Sequence, residues 1–214
     1  MRALDRLGKR APTMQLALRL LADGAEIVET GCAYTPDDWS GAGLSTVVFG
    51  AWAANHDGTV RTVDIDHDHL NACRRLTAAY RECVFYEEAD SVTFLDSLPA
   101  ASIDLLYLDS LDYPYGALLD LYGGKTDLNA AITTLAALPE AEVVARHGTI
   151  IAASQEHCER EITAALPALH ARSVVLIDDA GLPGGGKARL ARRVLAGAGW
   201  TCRLEGYQIL WTKP

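Results

Sequence analysis

Five short apolar segments, "AEIVET", "TVRTVDI", "CVFYEEA", "SIDLLYLDS" and "SVVLIDD", recur along the chain, and stretches with helical spacing lie between most of them. This alternation restricts the fold more than any other feature. Strands that read as nearly continuous apolar runs are buried on both faces, and strand–helix repetition builds a mainly parallel sheet with helices covering it. Strands are expected at 25–30, 59–65, 83–89, 102–110 and 173–179, and helices at 14–24, 44–55, 67–80, 91–98 and 185–199. The C-terminal "WTCRLEGYQILWTK" reads as two short strands joined at Gly206, an antiparallel pair. The expectation is therefore an α/β sheet of seven strands with right-handed crossovers.

Length and composition agree with one such unit. The 214 residues suit a single domain over 1–214, with a helical segment at 1–24 and a long connection at 111–172. Half of the residues are apolar and the formal net charge is -9. That balance argues against sequence-independent binding to nucleic acid, which needs basic surface to neutralise phosphates. No apolar stretch approaches the roughly 20 residues of a membrane span. The five scattered cysteines form no CxxC pair and read as reduced thiols, which points to the cytoplasm.

In sheets of this kind, ligands bind outside the carboxyl ends of the strands. Here every strand ends in an acid: Glu29 with Thr30 and Gly31, Asp64 with Ile65 and Asp66, Asp90 with Ser91, Asp109, and Asp178 with Asp179. Asp64 is placed to accept hydrogen bonds from ribose hydroxyls, whereas Asp66 is read as the cap of the following helix. A ribose serves both a dinucleotide and an adenosyl cofactor.

The first strand–helix join separates them. A dinucleotide requires a tight GxGxxG turn that brings pyrophosphate to a helix N-terminus. The stretch "VETGCAYTPDDWSGAGLST" instead carries twelve residues, 31–42, before Gly43, and sets Asp37 and Asp38 in the loop, where they would repel pyrophosphate. A cofactor with an amino-acid group and a sulfonium tolerates such acids.

With "VETG" and "GLST", "TVDID", "EEADS", "IDLLYLDS" and "SVVLIDD" in this order, the sequence resembles the class I S-adenosylmethionine-dependent methyltransferases, and among them the small-molecule O-methyltransferases. The resemblance spans roughly 25–212 and implies a Rossmann-like fold and S-adenosylmethionine as cofactor. It implies that Glu29, Thr30 and Gly31 line the methionine end, that Gly43, Ser45 and Thr46 close over it, and that Asp64 and Ile65 hold the ribose. Asp90 and Ser91 would flank the adenine. The alternatives left open are a nicotinamide-dependent oxidoreductase and an adenosine-cofactor-binding protein without turnover.

Asp109, Asp178 and Asp179 lie at the ends of strands expected to be neighbours. Three carboxylates so close need neutralising, and a hard divalent cation is the natural oxygen-seeking partner. In metal-dependent relatives of this type such acids hold magnesium, which binds the acceptor hydroxyl; Asp109, Asp178 and Asp179 are thus the expected ligands. The lysine that follows the first metal aspartate in the catechol-type enzymes is replaced here by Asp112. Asp109, Lys187 and Asp112 are the catalytic candidates, with Lys187 as the candidate base set against a solvated lysine at a helix start. "HDH" at 67–69 is read as surface. In 111–172, "DYPYGALLDLYGG" reads as an acceptor wall or lid, 127–138 and 154–169 as helices, and 139–153 as either helix or strand. The expected partner is a small hydroxylated acceptor, with no nucleic acid and no membrane; a homodimer is an open option.

Overall fold

The computed structural model describes residue 4, residues 6–39 and residues 44–214. After a 3-10 turn at Gly8–Arg10, the chain runs α1 (Ala11–Leu20), β1 (Glu26–Thr30), α2 (Ser45–Ala53), β2 (Thr59–Asp64), α3 (His67–Leu76), β3 (Val84–Glu88), α4 (Ser91–Asp96) and β4 (Ile103–Leu108). It continues through α5 (Tyr115–Leu121), α6 (Leu128–Ala136), α7 (Glu140–Ala165), β5 (Leu169–Ile177), α8 (Ala188–Gly197), β6 (Thr201–Glu205) and β7 (Ile209–Thr212). The seven strands form one sheet in the order β3-β2-β1-β4-β5-β7-β6. The first five are parallel, and β7 runs antiparallel to both β5 and β6. This is the sheet expected from the sequence.

The two faces of the sheet show directly in the strand residues. Val28, Val63, Leu106, Leu108, Val175 and Ile177 pack toward a core shared with α4, α7 and α8. Their neighbours Ile27, Val60, Leu105, Tyr107, Val174 and Leu176 pack toward a second core with α1 and α2. Successive side chains point to opposite faces, so a strand buried on both sides reads as an unbroken apolar run. Among the described residues no single helix is long and apolar enough to cross a membrane.

The connection between β4 and β5 is a small helical cap. Past Pro139, the ambiguous span 139–153 is the first half of α7, a 26-residue helix that also takes in 154–165 of the helix expected at 154–169, which ends earlier because Leu166–Ala168 is a 3-10 turn and Leu169 starts β5. Pro139 stands at its N-cap, Glu140 and Glu142 lie in its first turn, and Val143, Ile151, Ser154, Cys158, Ile162 and Ala165 keep one face buried. Tyr113, Leu118, Leu119, Ala131, Leu135, Val143 and Ile151 form a separate apolar cluster that holds α5 and α6 against α7.

The strand order reverses between β1 and β4, which opens a crevice at their carboxyl ends. The β1–β4 register pairs Thr30 with Leu108, so Gly31 meets Asp109 just beyond the last pair. Leu106, fully buried at the middle of β4, anchors this junction. Leu106→Ala is expected to lower unfolding stability by roughly 2–5 kcal/mol in urea titrations, with an unchanged slope.

Candidate active site

A cleft of about 930 Å³ runs along the carboxyl edge of the sheet, and a second cavity of about 230 Å³ adjoins it beside β2 and β3. Gly31, Asp64, Ile65 and Ser110 line both. Gly31 has φ +77, and a Cβ there would lie 2.5 Å from the Asp109 carbonyl oxygen. Only glycine lets β1 turn this close to β4 and leave the backbone bare between the two cavities.

The smaller cavity is walled by Val63, Ala89, Asp90, Ser91, Leu111 and His157 besides those four residues. Ile65 is 75% exposed and Leu111 43% exposed, two large apolar side chains held at the surface beside it. Asp90 caps α4 by accepting from the Thr93 amide, and these hydrogen bonds hold its carboxyl below the usual carboxylate range. Asp66 caps α3 by accepting from the amides of Asp68 and His69, the role expected for it. Asp64 accepts from the Asp66 amide at 2.8 Å and lies 3.5 Å from both Cys32 Sγ and His69 Nδ1. Beside Ser91 and Ser110 lie the half-buried His157 and the buried Glu161: Ser110 Oγ donates to Glu161 at 2.7 Å, and His157 Nε2 sits 3.1 Å from Ser91 Oγ and 3.4 Å from Glu161. Burial alone would raise the Glu161 carboxyl, but hydrogen bonds from His157 and Ser91 offset this and lower it.

The residues assigned to the methionine end divide into two layers. Ser45 lines the cleft, while Glu29, Thr30 and Thr46 are fully buried beneath it. Thr46 Oγ1 donates to Glu29 Oε2 at 2.6 Å and accepts from the Ala33 amide, whereas Glu29 Oε1 is buried with no hydrogen-bond partner. Burial pushes the Glu29 carboxyl up to about 7. Gly43 lies outside the described residues.

The acidic end pairs its charges differently from the expected metal cluster. Among the described residues no group of three or more His, Cys, Asp or Glu side chains could hold a metal ion. Asp178 is 0% exposed, does not line the cleft, and accepts from Arg10 Nε at 2.7 Å. Asp109 accepts from Lys187 Nζ at 2.7 Å, and Asp179 lies 3.5 Å from the same ammonium while accepting from the Tyr207 hydroxyl at 2.6 Å. The expected Asp109–Asp178–Asp179 magnesium site is therefore not the arrangement found, because protein cations already neutralise these acids. Lys187 is correspondingly not solvated: it is 2% exposed. Burial would lower its pKa, but Asp109, Asp179 and Asp178 more than offset that and hold the ammonium far above its usual range. An ammonium so held donates to its carboxylate partners. Asp109 is pushed well above the usual carboxylate range by burial and then by the charge of Asp178. Asp112 is exposed on the rim of the cleft. Of the "HDH" residues, His67 is a surface partner of Glu88, while His69 lines the cleft, stacked on Tyr34 with ring centroids 3.8 Å apart.

Local backbone explains how Lys187 reaches the site. Asp179 has φ +53, and its carbonyl accepts from the Lys187 amide, folding 180–186 back on itself. Gly186 has φ +56, and a Cβ there would overlap that carbonyl at 1.8 Å. Gln155 of α7 ties the loop down by donating to the carbonyls of Gly184 and Gly186, both at 3.0 Å. Arg10, Tyr107 and Tyr207 were missed by sequence reasoning. Tyr107 donates to Asp109, and the Arg10 guanidinium lies 4.9 Å over the Tyr207 ring. Only a lone arginine before a helix and tyrosines within strand-like text mark them.

No family model and no curated protein matches the sequence. The fold does match solved methyltransferase structures. The chain is 15% identical to the TDP-rhamnose 3'-O-methyltransferase CalS11 of calicheamicin biosynthesis, over 94% of this chain and 77% of that one, with a TM-score of 0.56. It is 15% identical to the cofactor-bound Rv0187 from MTB, over 99% and 86%, with a TM-score of 0.57. The SAH-bound methyltransferase PaMTH1 of Podospora anserina gives 13% identity over 95% and 77%, with a TM-score of 0.52. The chain thus has the Rossmann-like methyltransferase fold.

The raised carboxyl of Glu29 has a sign that can be checked. Its contribution to stability is complete below its ordinary value of 4.5 and is lost as pH rises through about 7. Glu29→Gln should therefore equal the wild type near pH 4.5 and exceed it by roughly 2–3 kcal/mol at pH 8. Denaturant midpoints at the two pH values measure it.

Proposed function

We propose that the protein is an S-adenosylmethionine-dependent O-methyltransferase acting on a small hydroxylated molecule. The observation that carries this reading is the continuous cleft that passes from Asp64 over bare Gly31 to Asp109 at the strand-order reversal. Its residues fit the cofactor. Ile65 and Leu111 provide apolar contact for an adenine, and Asp90, Ser91 and His157 border the same cavity. Asp64 serves the ribose. Gly31 admits close approach of the methionine portion, and Ser45 lines the cleft beside it, above the buried Glu29 carboxyl. When bound, the cofactor supplies a methyl group activated by its sulfonium.

The acceptor half lies beyond Asp109. Tyr113, Tyr115, Ile132, Leu135, Leu182 and Pro183 line it, an aromatic and apolar wall supplied mostly by the β4–β5 connection. It suits a compact acceptor better than a polymer. This wall excludes water from the reacting atoms, while Asp109 and Asp179 supply the polar groups that orient a hydroxyl. The dinucleotide alternative is disfavoured by Asp64, Asp66, Asp109, Asp112 and Asp179 along the same cleft, since a pyrophosphate would face a row of carboxylates.

Calorimetry tests the reading. S-adenosylhomocysteine should bind and NAD should not, and Asp64→Ala should weaken S-adenosylhomocysteine binding by roughly 1.5–3 kcal/mol, the size of lost charge-assisted hydrogen bonds. Tighter binding of NAD than of S-adenosylhomocysteine would overturn it.

A further inference from the structure

The acceptor end contains three carboxylates and two cations: Asp178, Arg10 and Lys187 are buried, and Asp109 and Asp179 face the cleft. Arg10 holds Asp178, and Lys187 holds Asp109 and approaches Asp179. A divalent ion would have to displace Lys187 from both of its partners and bring Asp178 into a cleft that it does not line. Lys187 has no easy way to leave. It follows a loop clamped by Gln155, its own amide is bonded to the Asp179 carbonyl, and its side chain is buried. Asp178 is equally fixed, since Arg10 comes from the turn that starts α1 and is also stacked on Tyr207.

We infer, building on the methyltransferase reading, that the acceptor end works without a divalent ion: Asp109, which lines the cleft, takes the acceptor's proton, and Lys187, buried behind it, holds Asp109 in place. Atoms and charges balance without a further reactant. The acceptor oxygen forms a bond to the methyl carbon, the carbon–sulfur bond breaks, and the electron pair stays on sulfur, which becomes a neutral thioether. The hydroxyl proton passes to Asp109, which lines the cleft within hydrogen-bond reach of Lys187 and Tyr107. Lys187 fixes Oδ1 of Asp109 at 2.7 Å and remains a positioning cation throughout. Three carboxylates facing two cations leave one negative charge, and the acceptor's proton meets it in the course of the transfer.

Manganese is the probe. Titrated into the full chain saturated with S-adenosylhomocysteine and followed by water-proton relaxation, Mn²⁺ should give no saturable one-to-one binding. A one-to-one site that disappears in Asp179→Asn would overturn the inference. In Lys187→Met the released carboxylates should gain Mn²⁺ binding, seen as a thermal midpoint that rises with Mn²⁺ only in the variant; equal shifts in both proteins would also overturn it. If Lys187→Met does not fold, the wild-type titration decides alone. Where labelled methyl transfer to a panel of simple phenols is detected, it should be unchanged by EDTA and lost in Asp109→Asn, whereas loss with EDTA and recovery with Mg²⁺ would reject the inference. Failure of S-adenosylhomocysteine to bind at all would instead reject the methyltransferase reading, and the Mn²⁺ titration of the ligand-free protein would still report on the carboxylates.

Discussion

Three carboxylates at the ends of two adjacent strands are the constraint around which the rest of the molecule is arranged. Asp109 directly follows β4 and Asp178 and Asp179 directly follow β5, so the parallel Leu108–Ile177 pairing brings them together. Charges this near, out of water, repel strongly, and removing one partner of a buried pair typically costs about 3–5 kcal/mol. The chain answers with Arg10 from its N-terminal turn and Lys187 from the loop before α8. That answer explains several features far apart in sequence. The turn before α1 is pinned to β5, the β6–β7 hairpin offers Tyr207 to both Asp179 and Arg10, and Gln208 links Tyr107 to Thr13.

The other half of the cleft uses its acids differently. Asp66 and Asp90 close the N-termini of α3 and α4, and Asp64 supports the turn between β2 and α3. The same short segments therefore start helices and line a cavity. This economy follows from the βα unit, where the residue after a strand is both the cap of the next helix and the rim of the crevice. Gly31 separates the two halves, and its missing side chain keeps them continuous.

Much of the site was legible in the sequence for a simple reason: strand-end residues sit at the carboxyl edge wherever the strands are correctly found. Asp64, Asp90, Ser91, Asp109 and Asp179 all reach the cleft or its neighbour on that logic. It failed where the answer depended on what packs against a residue. Lys187 looks like any lysine at a helix start, yet a positive-φ aspartate and Gly186 turn it inward. Asp178 looks like its neighbour Asp179, yet strand alternation points it away from the cleft and toward Arg10. The span 139–153 was ambiguous because short apolar runs suit either structure, and contact with α5, α6 and the loop at 183–186 decided for helix.

By itself the sequence determined the seven strands, their burial on two faces, the glycine at the β1–β4 junction and the row of acids along one edge. These are local or periodic properties, and hydrophobic pattern and backbone sterics suffice to specify them. Only the tertiary structure decided how those acids are neutralised. Arg10 and Asp178 are separated by 168 residues, and no local pattern links an arginine before a helix to an aspartate after the fifth strand. The choice between a metal and the protein's own cations depends on distances and burial, which exist only once the sheet has brought the strand ends together.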